Sequence, residues 1–286
     1  MFDTLIINPF LNALVFFYGV FSSLGTPGAF GFAIIALTGV FRLALHPFFK
    51  QQIESQQKMT ALRPKMSELE KKHKDDKTRL QQAQLDLYKE HGINPASGCL
   101  FALVQLPIFI GLYQTLSRFV DAAGNARAVD AINKVLYSPT LALKALDPYF
   151  FGFNLAVAPQ TYKIIDVSFS SGIALLPQNL PYAHYMLIPL ITGLLQYVQA
   201  QKTISAQPAP EKKDATSAGD KKPESFSSDF QSAMNTQIKY FFPIMIAFFS
   251  YQLPVGLSLY WNIFSIFSII QAIRTSQSTL QIAAKK

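Results

Sequence analysis

GFAIIALTGVFRLALHPF, residues 31–48, decides the fold of this chain. With Phe30 it makes a run of about twenty mostly apolar residues, and at ~1.5 Å rise per residue a helix of that length crosses a bilayer core of about 30 Å. It carries one cation, Arg42. A charge at that depth costs roughly 2.5–3.5 kcal/mol on insertion scales, so it reads as functional by default.

The rest of the composition agrees with a membrane setting. Half of the 286 residues are hydrophobic, with 25 Phe against 17 acidic residues. Several further apolar runs reach spanning length, so the chain reads as a polytopic membrane protein. The net charge of +8 does not point to DNA, because the basic residues fall between the spans, where insertion rules place them. One cysteine, Cys99, excludes an internal disulfide and a multi-cysteine metal site. His46, His73, His91 and His184 have no ligand spacing. No glycine-rich phosphate loop precedes a basic residue, so no cofactor, metal or nucleotide is expected, and no enzymatic activity. The N-terminus has neither a basic n-region nor the Arg- and Ser-rich character of a transit peptide, which suits a mature bacterial protein.

Residues 1–24 are apolar but interrupted by Asn8, Pro9 and Asn12. Two readings stand: a first span or, as favoured here, a helix lying in the outer interface, where aromatic rings prefer the headgroup boundary. Gly25, Pro27 and Gly28 turn the chain into the first span, 29–48. Residues 49–96 then hold ten Lys or Arg and seven Asp or Glu. Ile53, Leu62, Met66, Leu69, Leu80, Leu87 and Tyr88 form a narrow apolar seam around the polar turn HKDDK. This spacing predicts a cytoplasmic helical hairpin close to an antiparallel coiled coil. A second span follows at 98–117, kinked at Pro107. Residues 119–183 are a mixed outer segment, helical in part of 127–146. The third span is 184–201, a disordered loop covers 203–236, and the fourth and fifth spans are 238–252 and 257–273. A tail, 274–286, ends in two lysines.

The segments 49–96, 202–239 and 274–286 together hold nineteen basic residues, against five on the other side. That imbalance sets the N-terminus outside and the C-terminus in the cytoplasm of a bacterial plasma or inner membrane. The expected fold is an all-α membrane protein: five transmembrane helices around a hydrophilic groove, with the N-terminal interfacial helix and the cytoplasmic hairpin.

Polar residues recur inside the spans. Thr38, Arg42 and His46 share a helix face; so do Thr192, Gln196 and Gln199, and so do Ser258, Asn262 and Ser265. Gln105 lies in the second span. Facing lipid would leave these groups unpaired, so they face a bundle interior or a wet cavity. The plain alternative is interhelical hydrogen bonding at roughly 0.6–2 kcal/mol each. For Arg42 it is snorkelling to the inner surface, ~9 Å away along the helix. No Asp or Glu falls inside the five expected spans. Water, carbonyls or an acid brought by another chain are therefore the expected partners of this guanidinium, and a water-filled groove open to the inside is preferred. The substrate-groove residues are Arg42, Thr38, Gln105, Thr192, Gln196, Gln199, Ser258, Asn262 and Ser265.

Three stretches carry a resemblance: residues 31–48, LYKEHGINPASGCLFALVQLPIFIGLY at 87–113, and YFFPIMIAFFSYQLPVGLSLYW at 240–261. They resemble the YidC family of membrane-protein insertases, shared with mitochondrial oxidase-assembly and thylakoid Albino-type proteins. The basic hairpin matches in place and length. The resemblance implies insertion of small membrane proteins through a groove whose arginine corresponds to Arg42. The client's apolar segment slides along the second and fourth spans into the lipid bilayer. It implies nascent membrane proteins, the Sec translocon and the ribosome as partners. Four features depart from the family pattern. Phe101 replaces the usual proline after GCL. Ser265 stands where an asparagine is common, with Asn262 directly after LYW. The basic tail is short. No large outer domain or lipid-anchor cysteine precedes the first span. Competing readings are a small-solute carrier or channel, disfavoured by the missing intramembrane carboxylates and internal repeat, and a passive assembly scaffold.

Overall fold

The computed structural model describes the chain except residues 74–75, 93–96, 124, 164, 169–171, 176, 205–236 and 285–286. The disordered loop expected at 203–236 therefore lies almost wholly outside the described residues. The chain is an all-α membrane protein in its apolar part. Asp3–Ser23 and Val255–Thr275 are each long and apolar enough to cross a membrane, and Ala29–Ala44 with His46–Ser55 meets the same test as a bent pair. Two bodies make up the molecule. One comprises Met1–His46, Ala102–Gln196 and Pro243–Ser268; the other comprises Pro47–Phe101, Tyr197–Phe242 and Ile269–Lys286.

In the first body a short π-helical turn, Asp3–Ile7, leads into α1, Asn8–Ser23. Pro9 stands second in α1, directly after the π-helical turn, where the hydrogen-bond ladder is already irregular. Gly28, at φ 79°, starts α2, Ala29–Ala44. The left-handed backbone explains the glycine. The two helices run antiparallel: Phe21 packs on Phe32 and Phe10 on Phe41, with ring centroids 5.7 and 5.4 Å apart. Leu11, Leu14, Val15, Phe30, Ala33, Ile34 and Leu37 form the buried seam between them.

The first expected span extends to Phe48, but α2 stops at Ala44. The chain bends by 68° before α3, His46–Ala61. Pro47 supplies the reason. It has no N–H, its ring clashes with the preceding turn, and it disfavours helical geometry in the residue before it.

α6, Ser97–Ala122, runs unbroken through Pro107. Phe119 near its end stacks on Phe30 near the start of α2, at 5.5 Å and 8°. These two helix ends are therefore level. Beyond them, residues expected only to be mixed form a built layer. It holds α7, Ala126–Asn133, a hairpin of β1, Tyr149–Phe150, with β2, Phe153–Asn154, and a second of β3, Ile165–Ser168, with β4, Gly172–Leu175. Asn12, buried in α1, ties this layer down. Its Nδ2 donates to the Val135 carbonyl at 3.1 Å and its Oδ1 accepts from the Tyr137 N–H at 2.7 Å. Tyr18 Oη accepts from the Asp147 N–H at 3.0 Å.

α8, Leu187–Ile204, follows a 3₁₀ run over Pro177–Met186. α9, Phe242–Gln252, is preceded by a π-helical turn, and α10 covers Val255–Ala284. The first N–H groups of α10 have no intrahelical acceptor. Those of Val255 and Gly256 donate instead to the carbonyls of Val157 and Leu155, at 3.1 and 2.9 Å.

In the second body, α4, Arg63–Lys72, and α5, Lys77–Glu90, flank the expected polar turn. Asp76 caps α5 by accepting from the Arg79 N–H at 3.0 Å. Lys65 Nζ lies 3.0 Å from His91 Nε2, so the two helices return alongside each other. Ile53, Leu62, Met66 and Leu80 of the expected seam are buried.

Candidate functional site

Arg42 lies in the last turn of α2 and is 5% exposed. Its guanidinium carbon sits 4.2 Å from the centroid of the Phe264 ring, and Nη2 donates to Ser268 Oγ. Both partners are on α10. The sequence left water, carbonyls or a borrowed acid for this charge. An aromatic face and a hydroxyl of the protein's own α10 stand against it. A guanidinium binds an aromatic face through the ring quadrupole, and the more strongly when water is excluded. Ser268 extends the stripe of Ser258, Asn262 and Ser265 by one further turn, so the same periodicity that found those three could have found it.

Thr38, one turn above Arg42, is buried and returns its hydroxyl to the Ile34 carbonyl at 2.7 Å. Across α8 and α10, Gln196 Nε2 donates to Ser265 Oγ at 2.9 Å, both groups buried. A second polar link joins three helices. Thr192 Oγ1 of α8 lies 3.1 Å from Ser250 Oγ of α9, which donates to Ser258 Oγ of α10 at 2.8 Å. Ser250 was not among the expected site residues. It is the one serine in an aromatic-rich run and has no polar neighbour at helical spacing. Gly193 lets these helices close in, since a Cβ there would stand 3.0 Å from the Ala247 Cβ. Asn262 is 8% exposed, and its Oδ1 has no hydrogen-bond partner among the described residues.

Arg42, Thr38, Thr192, Gln196, Ser258, Asn262 and Ser265 thus all belong to one helical body, buried within it. The hydroxyls of Thr192 and Ser258 are engaged between helices, whereas the Asn262 amide oxygen keeps an open acceptor. Gln199 belongs to the other body. Gln105 is in α6, but its side chain lies outside the described residues. Among the described residues no group of three or more His, Cys, Asp or Glu could hold a metal.

A family model described as 60Kd inner membrane protein matches residues 20–281. The chain belongs to that family. The match covers Arg42 and both stretches that carry the polar stripes of α8 and α10. Family members with similar sequence include a membrane protein insertase YidC of Pseudoalteromonas atlantica, 29% identical over 86% of this chain and 33% of the relative. The inner membrane ALBINO3-like protein 2, chloroplastic, of Chlamydomonas reinhardtii is 31% identical over 85% of this chain and 48% of its own. A membrane protein insertase YidC of Granulibacter bethesdensis is 31% identical over 93% and 37%. This chain spans a third to a half of the length of these relatives.

Proposed function

We propose that this protein is a membrane-protein insertase of a bacterial plasma or inner membrane. It moves short polar segments of nascent membrane proteins across the bilayer and releases their apolar segments into lipid. α2, α6, α8, α9 and α10 are its five spans, with the α4–α5 hairpin and the C-terminus in the cytoplasm. The Sec translocon and the ribosome are the partners this reading adds.

The observation that carries the proposal is a guanidinium buried in an otherwise apolar helix. Arg42 rests on Phe264 and Ser268, in the same body as the Gln196–Ser265 bond and the open acceptor of Asn262. A positive charge among polar groups at membrane depth attracts an acidic client segment and lowers the cost of bringing its backbone through, several kcal/mol per unpaired group otherwise. Burial of the client's apolar segment, at roughly 25 cal/mol per Å², supplies the driving force. No bond is made or broken, so the task calls for no catalytic residue. The membrane protein insertases among its relatives support insertion over a solute carrier, a channel or a passive scaffold.

The test uses the full chain in liposomes with clients whose outer segments are acidic or neutral. Arg42→Ala is expected to lower insertion of acidic clients about tenfold, the equivalent of ~1.4 kcal/mol, with Arg42→Lys keeping most activity and both variants folded. Equal insertion of acidic clients by Arg42→Ala and the parent chain contradicts the proposal. Solute flux in client-free liposomes marks a carrier or channel instead.

A further inference from the structure

The β1–β2 hairpin turns through Phe151 and Gly152, at φ 46° and 85°. Two positive φ angles in a two-residue loop suit Asn-Gly or Gly-Gly. A bulky residue in the first place is a genuine outlier, and such strain persists where something else holds it. Phe151 is also 74% exposed. Its neighbour Phe150 has the opposite fate. That ring fills the notch over Gly28 and Gly31, 2.7 Å from where a Gly28 Cβ would stand. The hairpin is therefore fixed against the first turn of α2, level with the Phe30–Phe119 stack where the apolar helices begin. Phe32 meets both rings, at 5.3 Å to Phe150 and 6.2 Å to Phe151. Tyr149, beside them, is exposed.

We propose that the Tyr149–Phe151 tip is a lipid anchor: Phe151 enters the boundary between headgroups and acyl chains of the outer leaflet, with Tyr149 at headgroup level. Aromatic side chains favour that layer. The tip stands where the layer must lie if α2 and α6 span. Its side chains are uncharged, which suits lipid, whereas Lys144 and Asp147 just before it are exposed and polar. In this position the ring that is costly to leave in water becomes the holding contact for a strained turn. The anchor would fix the outer layer to the bilayer surface and so hold the caps it provides to α10.

The test places an environment-sensitive fluorophore at Phe151→Cys, and separately at Lys144→Cys, in the full chain carrying Cys99→Ser, in nanodiscs without other protein. The expected result is about threefold weaker quenching by aqueous iodide at 151 than at 144, with strong quenching at 151 by lipids spin-labelled near the headgroup. Phe151→Gly relieves the backbone strain; it is expected to leave the unfolding temperature in detergent unchanged or higher. Equal iodide quenching at the two positions, or shielding of 151 only when another protein is added, overturns the proposal. So does a clear loss of stability in detergent for Phe151→Gly, which would make the ring an internal packing element.

Discussion

Arg118 donates to Asp3 at 2.6 Å, joining the last turns of α6 to the start of the first helix. Arg118 neighbours Phe119, which is level with Phe30 at the start of α2. Ser23, at the other end of α1, leads directly into α2. The helix is long and apolar enough to cross, and it lies along most of α2, with Phe10 on Phe41 as Phe21 is on Phe32. Ile6 packs on Gly111, ~12 Å along α6 from Phe119. The proposed topology keeps Met1 outside. We expect an epitope fused before Met1 to be cut by protease added outside intact cells, and one after Lys286 to be protected. Protection of both would put the first helix across the bilayer. Asp3→Asn should cost less than about 1 kcal/mol, because both partners are partly exposed.

Asn12 is a larger stake. Replacing it by alanine leaves the Tyr137 N–H and the Val135 carbonyl without their side-chain partners in a half-buried setting. Each stranded group costs ~1–3 kcal/mol. Asn12→Ala should destabilise the protein by about 2 kcal/mol in a detergent unfolding assay. It should also raise protease sensitivity within 134–147, the segment Asn12 and Tyr18 hold. Asn12→Asp keeps the acceptor for Tyr137 and loses the donor, so it should fall between the two. An alanine variant as resistant as the parent would show that this layer is held by other contacts.

Much of this was readable in the residues, and the failures have identifiable causes. The apolar runs, the turn at Asp76 and the polar stripes each rest on local spacing, which a sequence displays directly. The bend after Ala44 was not visible because Pro47 interrupts a run whose hydropathy does not change there. The layer built from residues 126–175 was unreadable for a different reason. Its order comes from contacts such as Asn12 to Tyr137 and Leu155 to Gly256, which join residues a hundred or more positions apart. Arg42 shows the same limit: its polarity was legible, but the face of Phe264 beneath it depends on how α2 and α10 meet.

Gly31 tests that packing from the other side. A Cβ there would collide with the Phe150 ring, so Gly31→Ala must push the hairpin away from α2. Overpacking of this kind costs typically ~1–3 kcal/mol. The variant should lose stability by that amount and regain most of it when combined with Phe150→Ala, which empties the notch. Additive losses in the double variant, measured by thermal unfolding, would mean that the two residues do not meet. Gly39 is the control. A Cβ there has only the tip of the Phe267 ring within reach, at 3.9 Å, and Gly39→Ala should be tolerated.

The α4–α5 hairpin gives a prediction that separates folding from function. Its ion pairs, Arg79 with Asp76 and Lys89 with Asp86, are exposed and local, each worth little to stability. Its buried residues Leu62, Met66 and Leu80 belong to the second body. The Arg42 region, with the Gln196–Ser265 and Ser250–Ser258 bonds, belongs to the first. Replacing about residues 60–85 by a short flexible linker should therefore leave the unfolding transition of the membrane helices in place. Insertion should nonetheless fall severalfold for every client, acidic or neutral, because the loss is in early client capture and not in the attraction exerted by Arg42. The pattern across clients is the readout. A loss confined to acidic clients would assign the hairpin's basic residues an electrostatic part in the same step as Arg42. Undiminished insertion would reduce the hairpin to a spacer between α3 and α6.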